Sequence, residues 1–135
     1  MSLLLSRADI AALMTNADYL EAVETAFMAS KKGRAHSPPP LHIPADDGAF
    51  HAKGARLDGP RKLVALKLNA NFPGNPARGL PTIQGMIALC DAEIGALLAI
   101  MDSIEITLRR TAAASALAAR HLARAESKVF AICGC

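Results

Sequence analysis

The sequence contains no tryptophan, and its four phenylalanines and one tyrosine bring the aromatic fraction to only 4%. Proteins that read nucleic acids by base stacking depend on aromatic side chains, so this scarcity argues against that function. The net charge is only +3, and the basic residues are scattered rather than gathered into one basic stretch. This charge suits an anionic small molecule as well as a polyanion. Because aromatic residues are scarce and no basic stretch is present, we expect no nucleic acid as partner.

Long apolar runs are also absent. The apolar start of the chain is interrupted by Arg7 and Asp9, too early for the core of a signal peptide. No uninterrupted run approaches the roughly 20 apolar residues of a membrane-spanning helix. The chain has three cysteines, an odd number that is typical of a reducing compartment. We therefore expect a cytoplasmic protein with no membrane partner.

What the sequence does contain is aliphatic material, since 52% of its 135 residues are hydrophobic. A chain of this length forms one core of useful size. Ser6 followed by Asp9 predicts a capped helix that ends near Met14, and Thr15 caps a second helix. The second helix is expected to end at the lysine pair before Gly33, because glycine is the favoured residue just after a helix.

Beyond the prolines of residues 38–40, the pattern changes from helical spacing to alternation, which predicts strands. The Asp-Gly turn signals and the alternation place the strands at residues 41–44, 50–57, 63–69, 82–90 and 96–101. A long helix is expected from about Ser103 to Leu122, rich in alanine. A wholly apolar strand should follow at residues 128–133. This order predicts an α+β fold with two N-terminal helices, an antiparallel meander sheet and a long helix.

The final predicted strand runs into Gly134. A buried apolar strand that leads into a Gly-x-Gly turn is the start of a Rossmann domain, in which the turn holds a dinucleotide pyrophosphate at a helix N-terminus. We therefore interpret residues 126–135 as the first strand and turn of an incomplete NAD(P)-binding domain, with Gly134 as a cofactor-binding glycine. Residues 1–125 form the preceding domain.

Four segments of the chain are distinctive: Leu66 to Pro76 with its Phe-Pro-Gly-Asn run, Gly79 to Gly85, Met101 to Ser103, and Thr107 to Ser115 with its Arg-Thr-Ala-Ala run. Together they closely resemble the ornithine cyclodeaminase/mu-crystallin family, and the resemblance covers nearly the whole chain. The resemblance implies an NAD(P)-dependent enzyme that acts on the C–N bond of an amino acid or a cyclic imine. Members include ornithine cyclodeaminase, alanine dehydrogenase and ketimine reductase types. It also implies that residues 1–125 bind substrate and form a homodimer through the sheet.

Arg110 matches the family's carboxylate-binding arginine. Its planar guanidinium can hold a carboxylate through two parallel hydrogen bonds, which suits the acid group of an amino-acid, keto-acid or imino-acid substrate. The alternative is an ordinary surface arginine. Arg109 lies about 100° away around the helix, so both cannot play the part, and we expect Arg109 to be structural or solvated.

Lys67 matches a family lysine that contacts the substrate carboxylate or, if burial lowers its pKa, donates a catalytic proton. Thr82 and Lys53 are further candidate substrate-binding residues by the same resemblance. The alternatives are a solvated strand lysine for Lys67 and Lys53, and turn chemistry for Thr82. Pro40 stands where many relatives have an arginine, which puts specificity for ornithine in doubt.

The remaining predictions concern metals and cofactors. The four histidines are dispersed in the sequence without metal-ligand spacing, so we expect no metal site. NAD or NADP is implied for complete family members, but we expect this chain alone to bind neither measurably and to be inactive. The alternative to the enzyme half is a non-catalytic truncated remnant that acts as a small-molecule-binding or dimerisation module.

Overall fold

The computed structural model describes residues 1–133, and within this range the chain folds as one sheet with helices on one face. The elements in chain order are β1 (Leu3–Leu5), α1 (Arg7–Leu13), α2 (Asn16–Lys31), β2 (Ala35–His36), β3 (Leu41–Ala45), β4 (Gly48–Asp58), β5 (Lys62–Asn71), a 3-10 turn (Asn75–Arg78), β6 (Ile83–Asp91), β7 (Leu97–Asp102) and α3 (Ile104–Leu122). Across residues 1–133, none of the helices has both the length and the apolar composition that a membrane crossing requires.

The helix ends form as the sequence predicts. Ser6 and Asp9 make a complete capping box at the start of α1, and Thr15 makes a second one with Asp18 at the start of α2. Each box satisfies two backbone N–H groups that the helix itself leaves without partners. Gly33 follows α2 at a φ of 69°, a conformation that costs residues with a Cβ considerably more than glycine. The two N-terminal helices are therefore defined locally.

The sheet of the described residues has seven strands in the order β1-β7-β6-β5-β4-β2, with β3 also paired to β4. Strands β4 to β7 form the predicted antiparallel meander, and Gly95 makes the turn between β6 and β7 at a φ of 69°. The sheet also contains a strand that the sequence analysis did not predict, because β1 pairs in parallel with β7, Leu4 opposite Ile100. The paired residues are nearly a hundred positions apart in the sequence, so no local pattern signals the pairing.

The predicted strand at residues 128–133 is also absent from this structure. A strand needs a neighbouring strand with which to exchange backbone hydrogen bonds, and the sheet of residues 1–133 does not include this segment. Val129 and Phe130 are largely exposed, and Ile132 lines a groove on α3 beside Ile104 and Leu108. The predicted cofactor glycine, Gly134, lies outside the described residues.

The two faces of the sheet differ in what covers them. On the inner face, Lys67, Asn69 and Ala99 point toward the helices, and Ala99 is only 4% exposed. On the outer face, Leu66 and Met86 remain 54% and 45% exposed although both are large and apolar. The inner face is the one that helix α3 crosses, and it is there that the predicted site residues meet.

Candidate functional site

The start of α3 is fixed to the inner face by a buried polar cluster. The Ser103 side chain is fully buried, and its Oγ donates a hydrogen bond of 2.7 Å to Oδ1 of Asn69 on β5. The Ser103 backbone N–H donates to the carbonyl of Gly85 on β6 at 3.1 Å. A Cβ at Gly85 would lie 2.5 Å from Asn69 Oδ1 and would clash with the Leu68 carbonyl, so only glycine leaves room for the Asn69 side chain. This cluster sets where the first turns of α3 lie over the sheet.

Lys67 lies on β5 directly beneath those first turns. Its side chain is half-buried, and Nζ is 3.5 Å from Oγ1 of Thr107 on α3. Burial lowers the pKa of Lys67 below its usual value of 10.5, and the positive charges of Arg110 and Lys53 lower it further. The prediction that Lys67 points away from the apolar side of its strand is confirmed by the register, since Leu66 lies on the outer face.

Arg110 and Lys53 approach Lys67 from two different elements. Arg110 lies on α3 one turn beyond Thr107, and Lys53 lies on β4 directly opposite Lys67 in the antiparallel register. Directly opposite residues have Cβ atoms about 5 Å apart on the same face. Lys53 and Lys67 line the same cavity, whereas Arg110 is exposed, lines a groove between α2 and α3, and acts on Lys67 through its charge. We name Lys53, Lys67 and Arg110 the cationic cluster.

Arg109 has a different environment, as the sequence predicts. Its guanidinium donates to Oε1 of Glu105 at 2.8 Å and to Oδ1 of Asn16 at 2.7 Å, which ties α3 to the start of α2. Glu105 is buried, and hydrogen bonds from Arg109 and then from Arg7 hold the pKa of its carboxyl below the usual 4.5. The neighbouring arginines of α3 thus separate into a structural one and one that belongs to the cationic cluster.

Beside the cluster, an open cavity of about 210 Å³ lies on the inner face. It is lined by His51, Lys53, Lys67, Asn69, Ala70, Asn71 and Ile83. These side chains offer hydrogen-bond donors from ammonium, imidazole and amide groups. Such a lining suits a small polar molecule that carries negative charge.

No acidic partner neutralises the cationic cluster within residues 1–133. The carboxylates that form ion pairs in this range pair with other basic residues, as Glu105 does with Arg7 and Arg109 and Asp58 does with Arg56. The causes that shift the pKa of Lys67 include two cations and no anion. Unlike a structural ion pair, the cluster retains positive charge that an anionic ligand can neutralise.

Thr82 stands next to Ile83, which lines the cavity. Its backbone carbonyl accepts a hydrogen bond of 2.9 Å from the N–H of Phe72, which closes the neck of the loop between β5 and β6. Asn75 is buried inside that loop and donates from Nδ2 to the Pro81 carbonyl at 3.0 Å. The loop is thus held by its own hydrogen bonds, and the prediction that the Thr82 side chain contacts a substrate stays a prediction.

Two histidines that are nine positions apart contact each other, and one of them, His51, lines the cavity. The sequence analysis did not predict this contact. Nδ1 of His42 on β3 is 3.3 Å from Nδ1 of His51 on β4, and the rings are tilted by 46°. This contact follows from the pairing of β3 with β4, whose register places His42 directly opposite His51. Among the described residues, no group of three or more His, Cys, Asp or Glu side chains is arranged to hold a metal ion.

This fold and this site define a class: an α+β sheet domain that presents an uncompensated cationic cavity beneath a long helix. The model of the ornithine cyclodeaminase/mu-crystallin family matches residues 1–135. The chain is 37% identical over 134 residues to an alanine dehydrogenase of Archaeoglobus fulgidus, covering 99% of this chain and 41% of that protein. The chain therefore belongs to the ornithine cyclodeaminase/mu-crystallin family.

Solved structures agree with this assignment. An archaeal alanine dehydrogenase dimer with bound NAD superposes with a TM-score of 0.89 at 36% identity, covering 93% of this chain and 38% of that one. The Delta(1)-pyrroline-2-carboxylate reductase of Thermococcus litoralis, in complex with NADH and L-proline, gives 0.88 at 36% identity, covering 93% of this chain and 39% of that one. The chain thus spans about 40% of the length of these relatives.

Proposed function

We propose that this chain is the substrate-binding half of an NAD(P)-dependent enzyme that acts on the C–N bond of an amino acid or a cyclic imine. The observation that carries the proposal is the cationic cluster beside a polar cavity, with no carboxylate of the described residues to neutralise it. Relatives described as an alanine dehydrogenase and as pyrroline-2-carboxylate reductases support the same reaction class.

In this proposal, the substrate carboxylate binds between Arg110 and Lys67. Arg110 supplies the planar, permanently charged fork, and Lys67 supplies a single ammonium from the floor of the cavity. Because one comes from α3 and the other from β5, the acid group is fixed in orientation as well as in position. Lys53 and Thr82 are proposed as additional contacts at the rim.

Lys67 is also proposed as the group that holds a proton next to the reacting nitrogen. Burial and the two neighbouring cations lower its pKa, which increases the fraction that is a neutral amine at a given pH. A lysine with a lowered pKa can give up and take back a proton more readily near neutral pH. Binding of an anionic substrate would raise that pKa again, so the bound acid favours the protonated form that can donate.

The nicotinamide cofactor would have to be held elsewhere. In residues 1–133, no glycine-rich turn leads from a strand into an α-helix, which is the arrangement that holds a dinucleotide pyrophosphate. The described residues therefore do not fit NAD or NADP. Their proposed contribution is to bind and orient the acid and to hold a proton at Lys67 Nζ; a complete enzyme would supply the nucleotide-binding domain.

We also propose that two copies of the chain associate through the outer face of the sheet. Leu66, Met86 and, on the edge strand β3, Leu41 are 54%, 45% and 57% exposed. Contiguous exposed apolar surface of this kind marks an interaction site. A relative described as a dimer supports this assembly, and a reducing cytoplasm remains the proposed compartment, in keeping with the free thiols of Cys90 and Cys133.

Binding of a planar cyclic acid tests the proposed site directly. Pyrrole-2-carboxylate, titrated into the purified chain at low salt and followed by NMR, should shift the amide signals around Lys67 and α3. Arg110→Met should weaken binding about tenfold, because a charge-assisted pair is lost. Arg120→Met removes the same charge from the exposed end of α3 and should leave affinity unchanged. Equal loss in both variants would contradict a specific role for Arg110.

Sedimentation equilibrium tests the assembly with a matched pair of leucines. Leu66→Lys places a charge on the outer face and should shift the protein toward monomer, whereas Leu108→Lys places it at a site on α3 that is 59% exposed. If Leu108→Lys alone dissociates the protein, the interface lies on the helical side instead.

A further inference from the structure

The cationic cluster, of which Lys53 and Lys67 line the cavity, holds more positive charge than one carboxylate can neutralise. Lys53, Lys67 and Arg110 influence one another electrostatically, and within residues 1–133 none of them forms an ion pair with an acidic side chain. A substrate with a single carboxylate would leave two of the three cations uncompensated. Like charges that remain close together cost free energy, especially where one of them is partly buried.

The positions of the two lysines divide the cluster into two binding points. Lys67 is half-buried under Thr107 and faces α3, whereas Lys53 is exposed on the next strand and lies beside His51 at the open side of the cavity. Their Cβ atoms are about 5 Å apart, as for any directly opposite pair. The two ammonium groups can therefore contact two separate carboxylates on one short molecule.

We propose that the preferred ligand of this cavity is a short dicarboxylic 2-oxo, 2-imino or 2-amino acid. Its first carboxylate binds Arg110 and Lys67, and its second binds Lys53 with the His51 ring at the rim. This inference rests on the proposed function of the site and adds the chemical class of the side chain. The proposed ligand has a carboxylate near Lys53, whereas a diamino acid such as ornithine would bring a second positive charge to the same position.

A matched series of four-carbon acids tests this assignment on the chain itself. Succinate, butyrate and 4-aminobutyrate share one carboxylate and differ only at the far end, which is anionic, apolar or cationic. By NMR titration at neutral pH and low salt, succinate should bind about tenfold more tightly than butyrate, and 4-aminobutyrate should bind most weakly.

A matched pair of lysine variants locates the second binding point. Lys53→Met should abolish the preference for succinate, so that succinate and butyrate bind the variant with affinities within about twofold of each other. Lys128→Met removes the same charge from the exposed C-terminal segment and should change neither affinity. Because the titration follows the amide spectrum, it also reports whether each variant is folded.

The outcomes separate this inference from the proposed function. If butyrate binds at Lys67 and Arg110 as tightly as succinate does, the dicarboxylate assignment is wrong and the carboxylate site stands. The dicarboxylate assignment is equally wrong if Lys53→Met weakens the binding of both acids to the same extent. If neither acid shifts the signals of the cavity residues at any concentration, both proposals fall.

Discussion

Replacing Ser103 by alanine should test how the helix that carries Arg110 is held over the sheet. The Ser103 side chain is fully buried and donates its 2.7 Å hydrogen bond to Asn69, which is itself only 9% exposed. Removing the hydroxyl leaves the Asn69 carbonyl oxygen buried without that donor. The net value of such a bond, plus the desolvation of an unpaired acceptor, predicts a loss of about 1–3 kcal/mol in the free energy of unfolding.

The assay is urea unfolding, with thermal unfolding as a second measure. For a domain of this size, each kcal/mol lost should lower the melting temperature by roughly 4 °C. Ser115→Ala is the matched control, because its hydroxyl bonds to the Thr111 carbonyl on the same helix at an exposed position, and its loss should cost less than about 0.5 kcal/mol.

A double-mutant cycle decides whether the bond itself is responsible. Ser103→Ala and Asn69→Ala, alone and together, should show a coupling energy of at least about 0.5 kcal/mol, since the two side chains contact each other. Additive losses, or a Ser103→Ala protein as stable as the wild type, would refute the argument that this buried pair anchors α3.

Three further predictions follow from buried or charged groups. Gly85→Ala should lower the free energy of unfolding by about 2–3 kcal/mol or prevent folding, because the added Cβ would clash with backbone atoms of Leu68 and Asn69. Gly74→Ala is the control, since a Cβ there has no atom within 4 Å and should leave stability unchanged in urea unfolding. The pKa of Lys67 is lower in the folded state than in the unfolded state, so the folded state loses this proton at a lower pH. The stability of the wild type should therefore rise relative to that of Lys67→Met as pH increases toward 10.5. At neutral pH the variant should be the more stable of the two. For Glu105, whose folded pKa is lowered, stability should be present above pH 4.5 and lost as pH falls through the folded pKa; in acid titrations Glu105→Gln should lose less than the wild type.

The parts of the fold that the sequence predicted well depend on local chemistry. The capping boxes at Ser6 and Thr15 and the turn at Gly95 each involve residues only a few positions apart, so their physical cause is visible in the sequence. The alternation in β5 likewise predicted which way Lys67 points. Local hydrogen bonds and side-chain periodicity are sufficient for these features.

The errors and omissions involve contacts between distant residues. Strand β1 forms because it pairs with β7, Leu4 opposite Ile100. The expected strand at residues 128–133 does not form, because no strand of the described sheet lies alongside that segment. Two apolar segments with similar β propensity therefore differ in whether they form a strand, and the presence of a neighbouring strand decides which one does.

The candidate site was only partly predictable for the same reason. Arg110 and Lys67 could be named from the family motifs, but their relative position depends on where α3 begins over the sheet, which the hydrogen bond between Ser103 and Asn69 fixes. The contact between His42 and His51 needed the strand register. Residue identities could be inferred from the sequence, whereas their mutual distances could not.

The parallel pairing of Leu3–Leu5 with β7 has a consequence for biosynthesis. During translation these residues are synthesised nearly a hundred residues before their partners at Ala99 to Met101. Until those partners are synthesised, the apolar side chains of Leu3–Leu5 have no β7 strand to pack beside. When this segment docks, it closes an edge of β7 that would otherwise stay open to other chains. Deletion of Leu3–Leu5 should therefore lower the soluble yield before it affects any binding property.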